Sequence, residues 1–389
     1  MLKVSKRVQR AGGEGAFVVM AKAQELERQG KSMIYMQIGE PDFNTPENIK
    51  QAGIRAIEQN YTHYAPTMGV REFRQAIAEY VSRTRGIPVE TDEVLVTPGA
   101  KDIIFAACNV LLEEGDEAIY PNPAYPLYES IIDITGAKSV PLPILEEKDF
   151  SFDRETFARL VTPRTRLVVI NSPANPTGGI IAREDLEFVA DLARKYDFYV
   201  LSDEIYSRLV FEGEHFSIAS LPGMKERTII MDGMSKTYAM TGWRLGYCAG
   251  PRELVDWMGK IVANSASCTA TFTQQAGIEA LRGPQDEEEK MRREFMARRK
   301  LIVDGFNAIP GVTCRMPHGA FYVFPNVKSF GRSSQEIADY LLYNAGVACL
   351  AGTGFGTYGE GYLRFSYATS RENIIEALAR IRKAFAELK

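Results

Sequence analysis

The chain has 389 residues, enough for two domains or for one large domain with a satellite. Its 45% hydrophobic and 25% charged residues are ordinary globular usage, so the core needs no metal or disulfide as a staple. A net charge of −4 argues against a nucleic-acid or anionic-membrane partner, and no stretch approaches the roughly 20 apolar residues of a membrane span.

The first residues, MLKVSKRVQRAGGEGAFVV, carry positive charge but no continuous apolar run followed by a cleavage site. Five cysteines (Cys108, Cys248, Cys268, Cys314 and Cys349) form no CxxC pair. They read as small buried hydrophobes in a reducing compartment, so the expected location is cytoplasmic. From residue 93 a pattern recurs of β-branched run, polar or glycine-rich turn, and helix. EVLVTPGA (93–100) is a strand and turn, and KDIIFAACNVLLEEG (101–115) a helix. EAIYPNP follows as a strand, RLVVINSPANPTGG (166–179) as a buried strand with a proline-rich loop, and REDLEFVADLARKYD as an amphipathic helix. FYVLSDEIY (198–206) and RTIIMDGMSK (227–236) are two more strands. Short strands apolar on both faces, alternating with helices, predict a mostly parallel sheet covered on both sides.

Near residue 284 the composition shifts. PQDEEEKMRREFMARRKLIVDGFNAI is a long charged helix with an apolar stripe. Beyond it VTCRMPHGAFYVFPNV, VACLAGTGFG and YLRFSYA resemble antiparallel strands, and 370–389 a last helix. The expected organisation is a large α/β domain over 46–285 and a smaller α+β domain over 286–389, of which the N-terminal segment 1–45 forms part.

In open α/β sheets, ligands bind outside the carboxyl ends of the strands. Asn175, Asp203 and Lys236 follow three successive strands there. Gly99, Ala100 and Lys101 stand at a helix N-terminus, where free N–H groups favour an anion. Ser235 and Arg244 add a hydroxyl and a guanidinium, whose fork suits a phosphate or carboxylate. The set calls for a ligand with a carbonyl, a phosphate and a basic ring nitrogen. Pyridoxal 5'-phosphate has all three: it joins a lysine as a Schiff base and pairs an acid with its ring nitrogen. Two decoys are set aside. GFGTYG (354–359) matches G-x-G-x-x-G but precedes a strand, which argues against NAD. His63, His215 and His318 lack ligand spacing, so no metal is expected.

The motifs QIGEPDF (37–43), HYAPTMG (63–69), TPGAK (97–101), NSPANPTGG (171–179), SDEIY (202–206), SKTYAMTGWRLGY (235–247), GAFYVF (319–324) and YLRFSYAT (362–369) occur in this order. With them the chain resembles the class I/II, fold-type I aminotransferases of the aspartate/aromatic kind over nearly its whole length. The resemblance implies a mostly parallel seven-stranded sheet sandwiched by helices, with a smaller α+β domain. It implies that Lys236 carries the cofactor and moves the proton, that Asp203 pairs with the ring nitrogen, and that Asn175 and Tyr206 bond the ring oxygen. Gly99, Ala100, Lys101, Ser235 and Arg244 would hold the phosphate, Tyr125 would stack on the ring, and Tyr64 would reach the phosphate of the other subunit of a homodimer. Arg364, with Asn175 and the Gly39 backbone, would grip the substrate α-carboxylate.

The reaction so implied moves an amino group from an L-amino acid to a 2-oxo acid by a ping-pong route; a C–S β-lyase or other elimination on the same fold is the alternative. The stretch NSASCTATFTQQ (264–275) has no arginine or lysine for a distal carboxylate. Members of the family with an IGEPDF-like N-terminal motif, which QIGEPDF resembles, can use the lysine of the turn that corresponds to TPGAK. The resemblance thus implies that Lys101 meets a distal carboxylate, favouring aspartate with 2-oxoglutarate over an alanine-like or aromatic donor. Tyr125 and AFVVM (16–20), a segment placed to close over the site, suit aromatic donors too.

Overall fold

The structure is a computed structural model that describes residues 3–13 and 15–388. A two-residue strand near the N-terminus (β1, Ile34–Tyr35) precedes the eight strands of the large sheet. These are β2 (Val94–Thr97), β3 (Glu117–Asn122), β4 (Lys138–Leu145), β5 (Ser151–Phe152), β6 (Thr165–Asn171), β7 (Tyr199–Asp203), β8 (Thr228–Gly233) and β9 (Gly246–Ala249). Their spatial order is β2-β9-β8-β7-β6-β3-β4-β5. The pairs from β8 through β4 are parallel, β9 runs antiparallel to both its neighbours, and β5 turns back on β4. The expected mostly parallel sheet is present, and the short β5 edge brings seven strands to eight.

Alternate residues feed two core layers, as a period of two requires. Leu95, Leu201, Ile229 and Met231 pack on one side with the helices Lys101–Leu111, Leu127–Thr135 and Arg252–Ser265. Val94, Val96 and Ile230 pack on the other with Arg71–Arg85 and Thr271–Arg282, while Val168, Ile170 and Val200 meet Arg183–Tyr196 there. At roughly 25 cal/mol per Å² of buried apolar surface, these layers are the main stabilising term.

Three boundaries differ from expectation. The helix from Lys101 stops at Leu111, not 115, because Leu112 is extended and Glu113 N–H turns onto the Asp116 carboxylate at 3.0 Å. Residues 138–145, given no element above, carry Pro141 and Pro143, which lack backbone donors, yet β4 forms there. Its Val140, Leu142 and Ile144 alternate into the core while the prolines face partly outward, near the sheet edge where missing donors are tolerated. In the C-terminal third, β10 (Tyr322–Val323), β12 (Leu350–Ala351) and β13 (Leu363–Ser366) are antiparallel as expected, in the order β10-β13-β12. However, β11 (Val347–Ala348) pairs in parallel with β1.

That pairing ties the N-terminal segment to the C-terminal third. The charged helix, Asp286–Asn307, packs there on Arg371–Glu387, with Gly305 under Leu378. Ile205, Tyr206 and Leu209, from the loop after β7, enter the same core. The carboxyl end of the large sheet thus faces β10, β13 and the 36–43 loop.

Candidate active site

The carboxyl ends of β6, β7 and β8 open on one cavity of about 650 Å³. Gly39, Ala100, Lys101, Tyr125, Asn175, Asp203, Tyr206, Ser235, Lys236, Arg244 and Arg364 line it together. Residues spread over 325 positions of sequence therefore meet in one place. Gly99 lies just beneath. Its φ of +94° is the left-handed region that glycine enters freely, and a Cβ there would fall 2.2 Å from Arg244 Nη2. Tyr64 stands apart from the cavity, 92% exposed.

Lys236 is on the single helical turn Met234–Thr237 that follows β8. Its Nζ donates to the Gly39 carbonyl at 2.6 Å. Withdrawal from water lowers the ammonium to about 8, with Arg364, Lys101 and Arg244 pushing the same way against the carboxylate of Glu40. A free amine is thus accessible near neutral pH. Gly39 must be glycine for a packing reason, since a Cβ would lie 2.0 Å from the Tyr322 hydroxyl.

Asp203 ends β7 and is buried. Burial raises its carboxyl to about 7, only partly offset by a hydrogen bond from Tyr128 and one from Ile205 N–H at 3.2 Å. An acid so placed favours a cationic or proton-bearing partner. Tyr128, whose hydroxyl donates to Asp203 Oδ2, is absent from the sequence reading. The signal for it was the spacing in AYPLY, which places Tyr128 one helical turn after Tyr125. The two rings meet edge to face at 5.8 Å, and Lys101 Nζ lies 5.7 Å from the Tyr125 ring centre.

Behind the cavity, Glu204 points away from it into a closed cluster. Arg85 Nε donates to Glu204 at 2.7 Å, and its Nη2 donates to Asp232 and Ser207, each at 2.8 Å. His215 Nε2 stands 3.0 Å from Glu204. The cluster links the ends of β7 and β8 from below.

At the anion end, Arg244 Nη1 and Nη2 donate to the carbonyls of Thr241 (3.0 Å) and Pro98 (3.2 Å). This lays the guanidinium across the turn that opens the helix Lys101–Leu111, whose Ala100 cap offers no side-chain acceptor. Opposite it, Arg364 on β13 is buried, not solvated as a strand arginine would be by default. It donates to Asn175 Oδ1 at 3.4 Å and to the Gln37 carbonyl. Its guanidinium carbon lies over the rings of Tyr322 (4.7 Å to the centre) and Phe355 (5.0 Å). Sequence reasoning missed both rings. Tyr322 lay inside the quoted GAFYVF, and Phe355 inside the glycine-rich decoy. That loop forms two short 3-10 turns, and its Phe355 carbonyl accepts from Ala124 N–H at 2.8 Å, bordering the cavity.

The family model for "Aminotransferase class I and II" matches residues 31–381. The chain belongs to this family. The aminotransferase is similar to the aspartate aminotransferase of Pyrococcus horikoshii, 42% identical over 370 residues with 94% of each chain covered. It is 40% identical to the aromatic-amino-acid aminotransferase 2 of Thermococcus litoralis, covering 94% of this chain and 95% of that one. A solved structure of the aspartate aminotransferase from Thermus thermophilus with maleate superposes with a TM-score of 0.95. It is 40% identical and covers 99% of this chain and 100% of that one. The enzyme is a transaminase of fold type I. No described helix is long and apolar enough to cross a membrane.

Proposed function

We propose that the transaminase uses pyridoxal 5'-phosphate, carried on Lys236, to move an amino group from an L-amino acid to a 2-oxo acid. The observation that supports this most is the cavity's donor set. A lysine depressed to about 8 and an acid raised to about 7 share one space with an anion-ready helix end. The fit to the cofactor is chemical: Asp203 matches a protonated ring nitrogen, and Ser235, Arg244 and the N–H groups at 99–101 match a phosphate. Asn175 and Tyr206 match the ring oxygen, and the half-buried Tyr125 offers a face for stacking.

When bound, the cofactor supplies an electron-poor ring that accepts the electron pair released at the substrate's α carbon. The chain's own residues do the rest. Arg364, packed against two aromatic rings, binds the α-carboxylate bidentately with help from Asn175 and the Gly39 backbone, which orients the α hydrogen. The Lys236 amine, freed when the substrate's amine takes its place, would take that proton and return it two bonds away, at the former aldehyde carbon. Its lowered pKa keeps the base available near neutral pH. Asp203 stays ionised once a cation faces it, because the ion pair offsets the burial that raised its pKa.

Lys101 lines the same cavity and would meet a distal carboxylate, so aspartate with 2-oxoglutarate is the favoured pair. Relatives named for aspartate and a structure with maleate support an acidic substrate. We place Tyr64 in the partner's site of a homodimer, a role its 92% exposure leaves open to it. We place the enzyme in the cytoplasm, where five free thiols persist. The division into 46–285 and 286–389, with 1–45 joining the smaller part, is supported by the β1–β11 pairing.

A panel of amino donors tests the reading. Each is added to the loaded enzyme, and the loss of the cofactor's visible absorption is timed. Aspartate should bleach it fastest, and 2-oxoglutarate should restore it. Release of a 2-oxo acid with ammonia, without acceptor, would show elimination instead.

A further inference from the structure

Two phenol oxygens meet at the floor of the cavity. Tyr206 Oη and Tyr322 Oη are 2.7 Å apart, with Tyr206 4% and Tyr322 1% exposed. Burial holds the Tyr206 hydroxyl well above the ordinary phenol range, so it stays protonated. One hydrogen lies between the two oxygens, and its owner decides what the other hydroxyl can do. If Tyr206 donates to Tyr322, Tyr206 presents only lone pairs to the cavity. If Tyr322 donates, the Tyr206 hydrogen is free to point into it. An anionic ring oxygen needs a donor, so only the second arrangement serves it.

We propose that Tyr322 is a positioning residue: its hydroxyl donates to Tyr206 and so turns the Tyr206 hydrogen toward the cofactor's ring oxygen. This rests on reading the cavity as a pyridoxal phosphate site. A hydroxyl that receives a hydrogen bond becomes a stronger donor, which reinforces the direction. The same side chain does a second job with its ring, which lies under the Arg364 guanidinium at 4.7 Å. Its place is fixed by contact, because the hydroxyl fills the space a Cβ at Gly39 would need. The hydroxyl and the ring are therefore separable by mutation.

The test uses the loaded enzyme and follows the pH at which its visible absorption titrates. Tyr206→Phe removes the donor outright and sets the scale. Tyr322→Phe keeps the ring and removes only the hydroxyl. It should raise that pKa by about half a unit, less than Tyr206→Phe does, with KM for the amino donor unchanged. Tyr322→Leu, which also removes the face under Arg364, should add a rise in KM of about 3- to 10-fold. A pKa in Tyr322→Phe equal to or below that of the wild type would overturn the proposal, as would a Tyr206→Phe variant that titrates like the wild type. A wild-type protein that takes up no cofactor would overturn the underlying reading instead, and the role of Tyr322 with it.

Discussion

Asp203 and Glu204 are neighbours in sequence and both are buried, yet the protein treats them oppositely. Burial lifts Asp203 to about 7, because a hydrogen bond from Tyr128 and one from the backbone do not offset the lost water. Burial works against ionised Glu204 as well, but His215, Arg85 and Ser217 outweigh it and hold its carboxyl far below the usual range. One residue along a strand reverses the face, so the two carboxyls sit on opposite sides of β7's end. One looks into an open cavity with its charge unanswered; the other is locked into a closed set of partners. An unanswered buried acid marks a site waiting for a cation, whereas an answered one marks structure.

Breaking the closed side should have the largest effect. Arg85→Met strands Glu204 and Asp232 without their cation, and urea unfolding should show a loss of about 3–5 kcal/mol. Activity per folded molecule should stay within a few-fold of the wild type, because Arg85 does not reach the cavity. On the open side the effects should be reversed. Asp203→Asn should lower kcat/KM by roughly 10²- to 10³-fold in steady-state assays. It should not destabilise the apoenzyme at pH 8. The sign follows from linkage: the folded-state pKa of Asp203 lies above its unfolded value of about 4. The folded state therefore binds more protons between about pH 4 and 7, and stability falls as pH rises through that window. The Asn variant should lack that fall. A wild-type apoenzyme whose stability does not fall there would break the contrast.

A third test concerns the lysine. With its pKa near 8, the apoenzyme should take up pyridoxal phosphate about tenfold more slowly per pH unit below 8, and at a constant rate above it. Stopped-flow absorbance measures this directly. The smallest expected effect is on selectivity: Lys101→Ala should lower kcat/KM for aspartate by up to about tenfold relative to phenylalanine. Equal losses for both donors would remove Lys101 from substrate recognition.

Much of the site was legible because its groups sit where runs of β-branched residues stop. The positions of Asp203, Asn175 and Lys236 follow from strand ends, and Gly99 through Lys101 from a helix start. Arg364 was legible only through the YLRFSYAT motif, since alternation alone would have turned it outward. Tyr128 and Tyr322 were hidden because single aromatic residues in apolar runs read as packing; only tertiary contact puts their hydroxyls on Asp203 and Tyr206. The fold shows the same limit. Strands that are apolar on both faces were evident, whereas β4, interrupted by two prolines, was masked by its own composition. The parallel pairing of β1 with β11 joins segments more than 300 residues apart, and no local pattern encodes it.

The proposed activity depends most on the Lys236 amine as the group that carries the cofactor. Borohydride reduction of the loaded enzyme, followed by proteolysis and peptide mass mapping, tests it directly. The expected result is a single pyridoxyl adduct at Lys236, absent from Lys236→Ala. An adduct on another lysine, or none on a protein that still transaminates, would contradict it.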